Sequence, residues 1–150
     1  MTSHDLSQRF ADTRKRIASA ALQWGRTPDS VQLVAISKGH GADALRTLAG
    51  LGQRDFGENY LQEALPKMQA LRDLSLVWHF TGQIQSNKTR PIAEHFAWVH
   101  TVDRERIAVR LNDQRPPDAT PINVCIQVSL EDEPGKGGVA PQDVEGLARQ

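Results

Sequence analysis

The stretch Val31-Gln32-Leu33-Val34-Ala35-Ile36-Ser37, followed at once by Lys38-Gly39-His40, decides how the rest of the chain is read. It is a near-continuous apolar run, rich in branched residues, that ends on a polar turn. Strands covered on both faces, as in parallel sheets, have this pattern. Upstream, residues 5–24 read as a helix, with Leu6, Phe10, Ile17, Ala21 and Trp24 on one stripe and Gly25 as a stop signal. Downstream the alternation repeats. Residues 42–49 form a short helix, 55–58 a brief strand and 60–71 a helix, although Pro66 inside it argues against an unbroken one. Residues 76–81 are a strand, 87–96 a helix with Pro91 in its first turn, and 97–101 a strand. A helix over 103–112, a proline-rich loop over 115–121 and a long strand over 122–130 follow. A polar, glycine-rich loop covers 131–138, and Pro141 and Asp143 open a last helix whose pattern runs to Gln150.

That makes about five strand–helix units in series, which implies a parallel α/β sheet with right-handed crossovers. Two architectures compete. A five-stranded doubly wound sheet would be complete at this length. A (β/α)8 TIM-type barrel takes about 250 residues, so 150 residues supply about five of its eight units. The final helical pattern, still open at Gln150, favours the barrel, here its first five units plus an N-terminal helix.

Composition narrows the function classes. Lys and Arg number 18, as do Asp and Glu, and the zero net charge argues against a nucleic-acid binder or a polybasic membrane module. Arg14-Lys15-Arg16 reads as a solvated helix face. The single cysteine, Cys125, allows no internal disulfide, points to a reducing compartment such as the cytosol, and reads as core packing in mid-strand. The N-terminus lacks a secretory apolar segment, and no apolar run approaches the roughly 18 residues of a membrane span. The sequon at Asn87 is therefore not expected to carry a glycan. The five histidines show no ligand spacing such as HExxH and there is no CxxC, so no metal site is expected.

In parallel α/β folds chemistry sits at the carboxyl ends of the strands. Lys38 stands out there. It leaves an apolar strand directly, so its stem starts beside the core. A neutral lysine amine can condense with an aldehyde, and partial burial near other cations would supply the neutral form. From spacing alone, a strand-end lysine that reaches solvent is the commoner outcome. Asn59, in Gly57-Glu58-Asn59, is equally well a cap for the next helix. His79, between Trp78 and Phe80, reads first as a core histidine with satisfied nitrogens. Residues 135–138 can offer backbone N–H groups to an anion but do not form a P-loop, and a mobile loop is the plainer reading. Lys67, on a helix, is expected to point to solvent.

Five motifs occur in order: Val34-Ala35-Ile36-Ser37-Lys38, Phe56-Gly57-Glu58-Asn59-Tyr60, Trp78-His79-Phe80-Thr81-Gly82, Gln85-Ser86-Asn87-Lys88 and His100-Thr101-Val102-Asp103. Together they closely resemble the pyridoxal phosphate homeostasis proteins, and the stretch from Ile122 to Gly138 continues the match. The resemblance implies a single-domain barrel of PLP fold type III, similar to the N-terminal domain of alanine racemase, of which residues 1–150 would be the N-terminal part. It implies pyridoxal 5'-phosphate (PLP) as cofactor, Lys38 as its Schiff-base lysine, and Asn59 and His79 as further cofactor-binding residues. It implies no catalysed reaction, a cytoplasmic monomer, a role in balancing PLP with amino and keto acids, and apo PLP-dependent enzymes as recipients. The phosphate-binding segments, and an arginine near the pyridine nitrogen, are expected beyond residue 150. Where many relatives have a second lysine followed by proline, this chain has His40 and Gly41.

The opposing class is a PLP enzyme of the racemase or decarboxylase barrel type. Racemization needs two bases, and the only tyrosine is Tyr60, within the Gly57–Tyr60 turn. A nucleotide or flavin module ranks last, because no GxGxxG follows the first strand.

Overall fold

The computed structural model describes residues 3–130 and 137–149. Five parallel strands form one sheet: β1 (Ala35–Ile36), β2 (Asp55–Glu58), β3 (Val77–Phe80), β4 (Trp98–Val102) and β5 (Asn123–Ile126). Their order in the sheet is their order in the chain. A doubly wound sheet would reverse direction at a switch point; this sheet does not, so the barrel architecture is the one adopted. Helices α1 (Ser3–Gln23), α2 (Ala42–Gly50), α3 (Leu61–Ala70), α4 (Thr89–His95), α5 (Glu105–Gln114) and α6 (Val144–Ala148) alternate with the strands.

Side-chain alternation divides the sheet into two faces. Phe56, Trp78, Phe80 and Val99 point to the helices and meet Leu45, Ala64, Ile92, Phe96, Ile107 and Leu111 in one apolar core. Phe80 meets Phe96 edge-on at 5.2 Å between centroids. The intervening positions point the other way and carry Asp55, Gly57, His79, Trp98 and His100.

The edge strands are shorter than the sequence pattern. The run 31–37 contributes only Ala35 and Ile36 to the ladder, opposite Phe56 and Gly57, because β2 starts at Asp55 and offers earlier residues nothing to pair with. The Gln53 side chain substitutes, donating from one amide nitrogen to the carbonyls of Leu33 and Asp55. The run 122–130 is a strand over Asn123–Ile126 only. Past that point Val128 forms an isolated parallel bridge with Val139. Cys125 is half-buried rather than enclosed, since β5 lies at the sheet edge.

Three local expectations are corrected. Trp24 is 78% exposed, one residue past the end of α1, which packs mainly on α2 and the turn Pro28–Ser30. Helix α3 runs unbroken through Pro66; the carbonyl deprived of its donor belongs to Gln62, which is exposed, so water can satisfy it. Lys67 does not reach solvent but is buried.

Candidate functional site at the carboxyl edge of the sheet

Ser37 to His40 form a tight turn directly after β1. The His40 amide donates to the Ser37 carbonyl at 3.1 Å, and Gly39 adopts φ +74°, which only glycine takes at little cost. Lys38 is exposed on this turn, and its ammonium has no partner among the described residues. Its neighbours are tied down. Ser37 donates its amide to Gly57 O at 2.8 Å and its hydroxyl to Glu58 Oε1 at 2.6 Å. Lys67 Nζ donates to the Ser37 carbonyl at 2.8 Å and to Glu58 Oε1 at 2.7 Å. The Gly39 amide donates to Glu63 Oε2 at 2.9 Å. That bond, and then the nearby Lys67, hold the Glu63 carboxyl below its ordinary range.

Asn59 directly follows β2. It is half-buried, and its Oδ1 accepts from Thr81 Oγ1 at 2.8 Å. It does not cap α3, which starts from Tyr60 with no side-chain cap. Gly82 packs so closely on it that an added Cβ would stand 2.0 Å from the Asn59 carbonyl oxygen. The loops after β2 and β3 enclose a cleft of about 340 Å³ beside Asn59 and Gly82, with Lys88 on its rim. A larger cleft, about 500 Å³, opens at the opposite end of the sheet, between α1 and the segments leading into β1 and β2; parallel α/β folds do not place their chemistry there.

His79 is the third residue of β3 and lies one layer below Asn59. It is 3% exposed, level with Gly57 and Trp98 across the sheet. Its Nε2 is 2.9 Å from Asp55 Oδ1, and its Nδ1 is 2.9 Å from His100 Nε2. A carboxylate has no proton to give, so His79 donates from Nε2; in the neutral ring Nδ1 then accepts from His100. The Trp98 ring stacks on His79 at 5.7 Å and 9°. Burial, and then the neighbouring His79, push His100 below its ordinary 6.5. The chain of three steps upward across β2, β3 and β4 toward the edge that carries Lys38.

Lys38 and Asn59 thus stand at one edge, with His79 just beneath. The bare reading of His79 as a satisfied histidine also holds, since both ring nitrogens are bonded. Sequence reasoning missed Asp55, and it gave His100, which lies within β4, no bond to His79. It also missed Glu58 and Lys67 as a buried pair. The signal available was the alternation in Asp55-Phe56-Gly57-Glu58, where every second residue faces the same way. Of the proposed anion cradle, residues 135 and 136 lie outside the described residues. The Gly137 carbonyl accepts from Gln127, and a Cβ there would meet the Asp103 carboxylate, a poor neighbour for an anion. Among the described residues no group of three or more His, Cys, Asp or Glu is arranged to hold a metal ion, and no helix is long and apolar enough to cross a membrane.

Residues 25–150 match the family model of the alanine racemase N-terminal domain. The chain belongs to that family. Within it, the chain is 54% identical over 143 residues to the pyridoxal phosphate homeostasis protein of Pseudomonas aeruginosa, covering 95% of this chain and 62% of that one. It is 45% identical over 148 residues to the Escherichia coli K12 protein of the same name, covering 97% and 63%. The chain therefore spans under two thirds of the length of these curated relatives. The structure of PipY from Synechococcus elongatus PCC7942 with PLP bound is 41% identical, with a TM-score of 0.72 over 89% of this chain and 63% of that one. An unknown protein from Bifidobacterium adolescentis, 23% identical, matches with a TM-score of 0.85 over 98% of this chain and 64% of that one, which speaks to the fold alone.

Proposed function

We propose that this chain is the PLP-holding part of a pyridoxal phosphate homeostasis protein, with residues 1–150 the N-terminal part of a single barrel domain and Lys38 the residue that bonds the cofactor. The observation that carries this reading is Lys38 itself: an unpartnered amine on a turn whose other residues are pinned, at the functional edge of the sheet. The names of the relatives and the PLP-bound PipY structure support it.

The donor set fits such a group. Bound PLP supplies an aldehyde carbonyl with which a neutral lysine amine condenses. Lys38 extends from the turn with no partner among the described residues to detach from first. Asn59, its oxygen held by Thr81, keeps its amide N–H groups for a polar substituent. Gly82 keeps Asn59 in place, because a Cβ there would collide with the Asn59 backbone and push it out of position. Trp98 and His100 present ring surfaces on the face below, over a buried His79 that Asp55 locks in orientation. The resemblance puts the phosphate-binding segments beyond residue 150, so the 150-residue chain alone should hold PLP far more weakly than the full-length protein.

We read the protein as a PLP carrier rather than an enzyme. Tyr60, the only tyrosine, is 60% exposed at the start of α3, which is no placement for a second base on the inner face. Action as a cytoplasmic monomer that passes PLP to apo-enzymes belongs to the same reading; size-exclusion chromatography and transfer assays test it. The decisive test is borohydride reduction of the PLP-loaded full-length protein, followed by peptide mapping. The pyridoxyl group should sit on Lys38, and Lys38→Ala should abolish the visible absorbance of the loaded protein. A label on Lys88 or Lys136, with the absorbance intact in Lys38→Ala, would refute the assignment.

A further inference from the structure

Glu58 is fully buried at the top of β2, on the face toward the helices, and Lys67 approaches it from α3 with only 8% of its surface exposed. A buried ion pair is a weak source of stability, because desolvation offsets most of the attraction. This one is also imperfect: Glu58 Oε2 is buried and has no hydrogen-bond partner. The arrangement therefore calls for a reason other than stability, and its contacts supply one. Both members of the pair end on Ser37, the residue before Lys38. Glu58 takes the Ser37 hydroxyl, while Lys67 takes the Ser37 carbonyl, the same oxygen that closes the turn through the His40 amide. Glu63, 3.5 Å from Lys67 Nζ, takes the amide of Gly39 on the other side of Lys38. Lys67 thus donates to two oxygens and lies 3.5 Å from a third, so its amine is engaged within this cluster.

We propose that Glu58 and Lys67 are positioning residues: together they fix the backbone on either side of Lys38, so that only its side chain remains free to move. The inference rests on Lys38 being the cofactor-bonding residue. Ordering of this kind matters because a displacement of about 1 Å at a reacting group can cost as much as 10²-fold in rate.

The test measures how fast the full-length protein captures PLP in a borohydride-reducible form, with the labelled lysine mapped and Tm recorded. Lys67→Met should slow capture about tenfold and spread the label to other lysines. The double variant Glu58→Gln/Lys67→Met removes the buried charge altogether. A positioning role predicts that its Tm recovers toward wild type while capture stays slow. Recovery of both together would overturn the proposal. Should neither variant fold, Ser37→Ala decides, since it removes one hydroxyl contact with Glu58: slower capture supports the proposal and a wild-type rate refutes it. If the wild-type label is not on Lys38, the functional reading itself has failed. If it is on Lys38 and the double variant captures PLP at the wild-type rate, only the positioning role has failed.

Discussion

On the helix-covered face of the sheet, Phe56, Trp78, Phe80 and Val99 bury themselves among apolar side chains. On the other face, at neighbouring positions of the same strands, Asp55, His79, Trp98 and His100 join through hydrogen bonds and ring stacking. Neighbouring residues of one strand thus serve separate ends. The first face owes its energy to area removed from water, which is non-directional and tolerates chemically similar replacements. The second owes its order to direction: each donor has one acceptor, and the carboxylate at one end sets the proton positions along the line.

The comparison is broken most severely from the apolar side. Phe56→Ala should cost about 3–5 kcal/mol, from lost transfer energy and the cavity left behind, measured by denaturant unfolding. In whatever fraction stays folded, the order of the polar face should survive. On the polar side, Asp55→Ala orphans the His79 donor and should cost about 1–3 kcal/mol. Its sharper signature is loss of tautomer control, seen as a change in the His79 and His100 ring-nitrogen shifts by NMR.

Acidity separates the two faces without mutation. The unfolded chain titrates His100 near 6.5, whereas burial and the neighbouring His79 hold it lower in the folded protein. As pH falls below about 6.5 the unfolded chain therefore binds more protons, and stability drops. Tm measured from pH 7.5 to 5 should decline, and His100→Gln should flatten that decline; an unchanged slope would count against the network. The smallest effect belongs to neither face. Arg46 and Asp73 pair at 2.6 Å on the surface with side chains 45% and 56% exposed, so Asp73→Asn should leave Tm unchanged within error.

How far the sequence could be read follows the same division. Strands β2 and β3 lie within a residue of where their patterns place them, since both are paired on two sides and their whole apolar run is used. At the edges the pattern overshoots, because apolar character marks what could be buried and not what has a partner. Lys38 and Asn59 were legible as residues that follow strands. Lys67 was not, because its partner comes from a strand nine residues upstream and reaches it only once α3 is docked. The Asp55–His79–His100 line was not, because its members lie 24 and 21 residues apart and meet only when three strands are set in register.

The unbroken strand order also has a kinetic meaning. Each strand pairs with the one made just before it, at a sequence separation of about twenty residues. Closing so short a span costs little chain entropy, and the cost is alike at every step. No described strand has to wait for a distant segment to be synthesised before it finds its neighbour. At translation speeds of about 5–20 residues per second, each new strand–helix unit leaves the ribosome within seconds of the last. The sheet can therefore grow outward from β1 as the chain emerges, adding one strand at a time beside the last, with β1 and the newest strand as its two open edges.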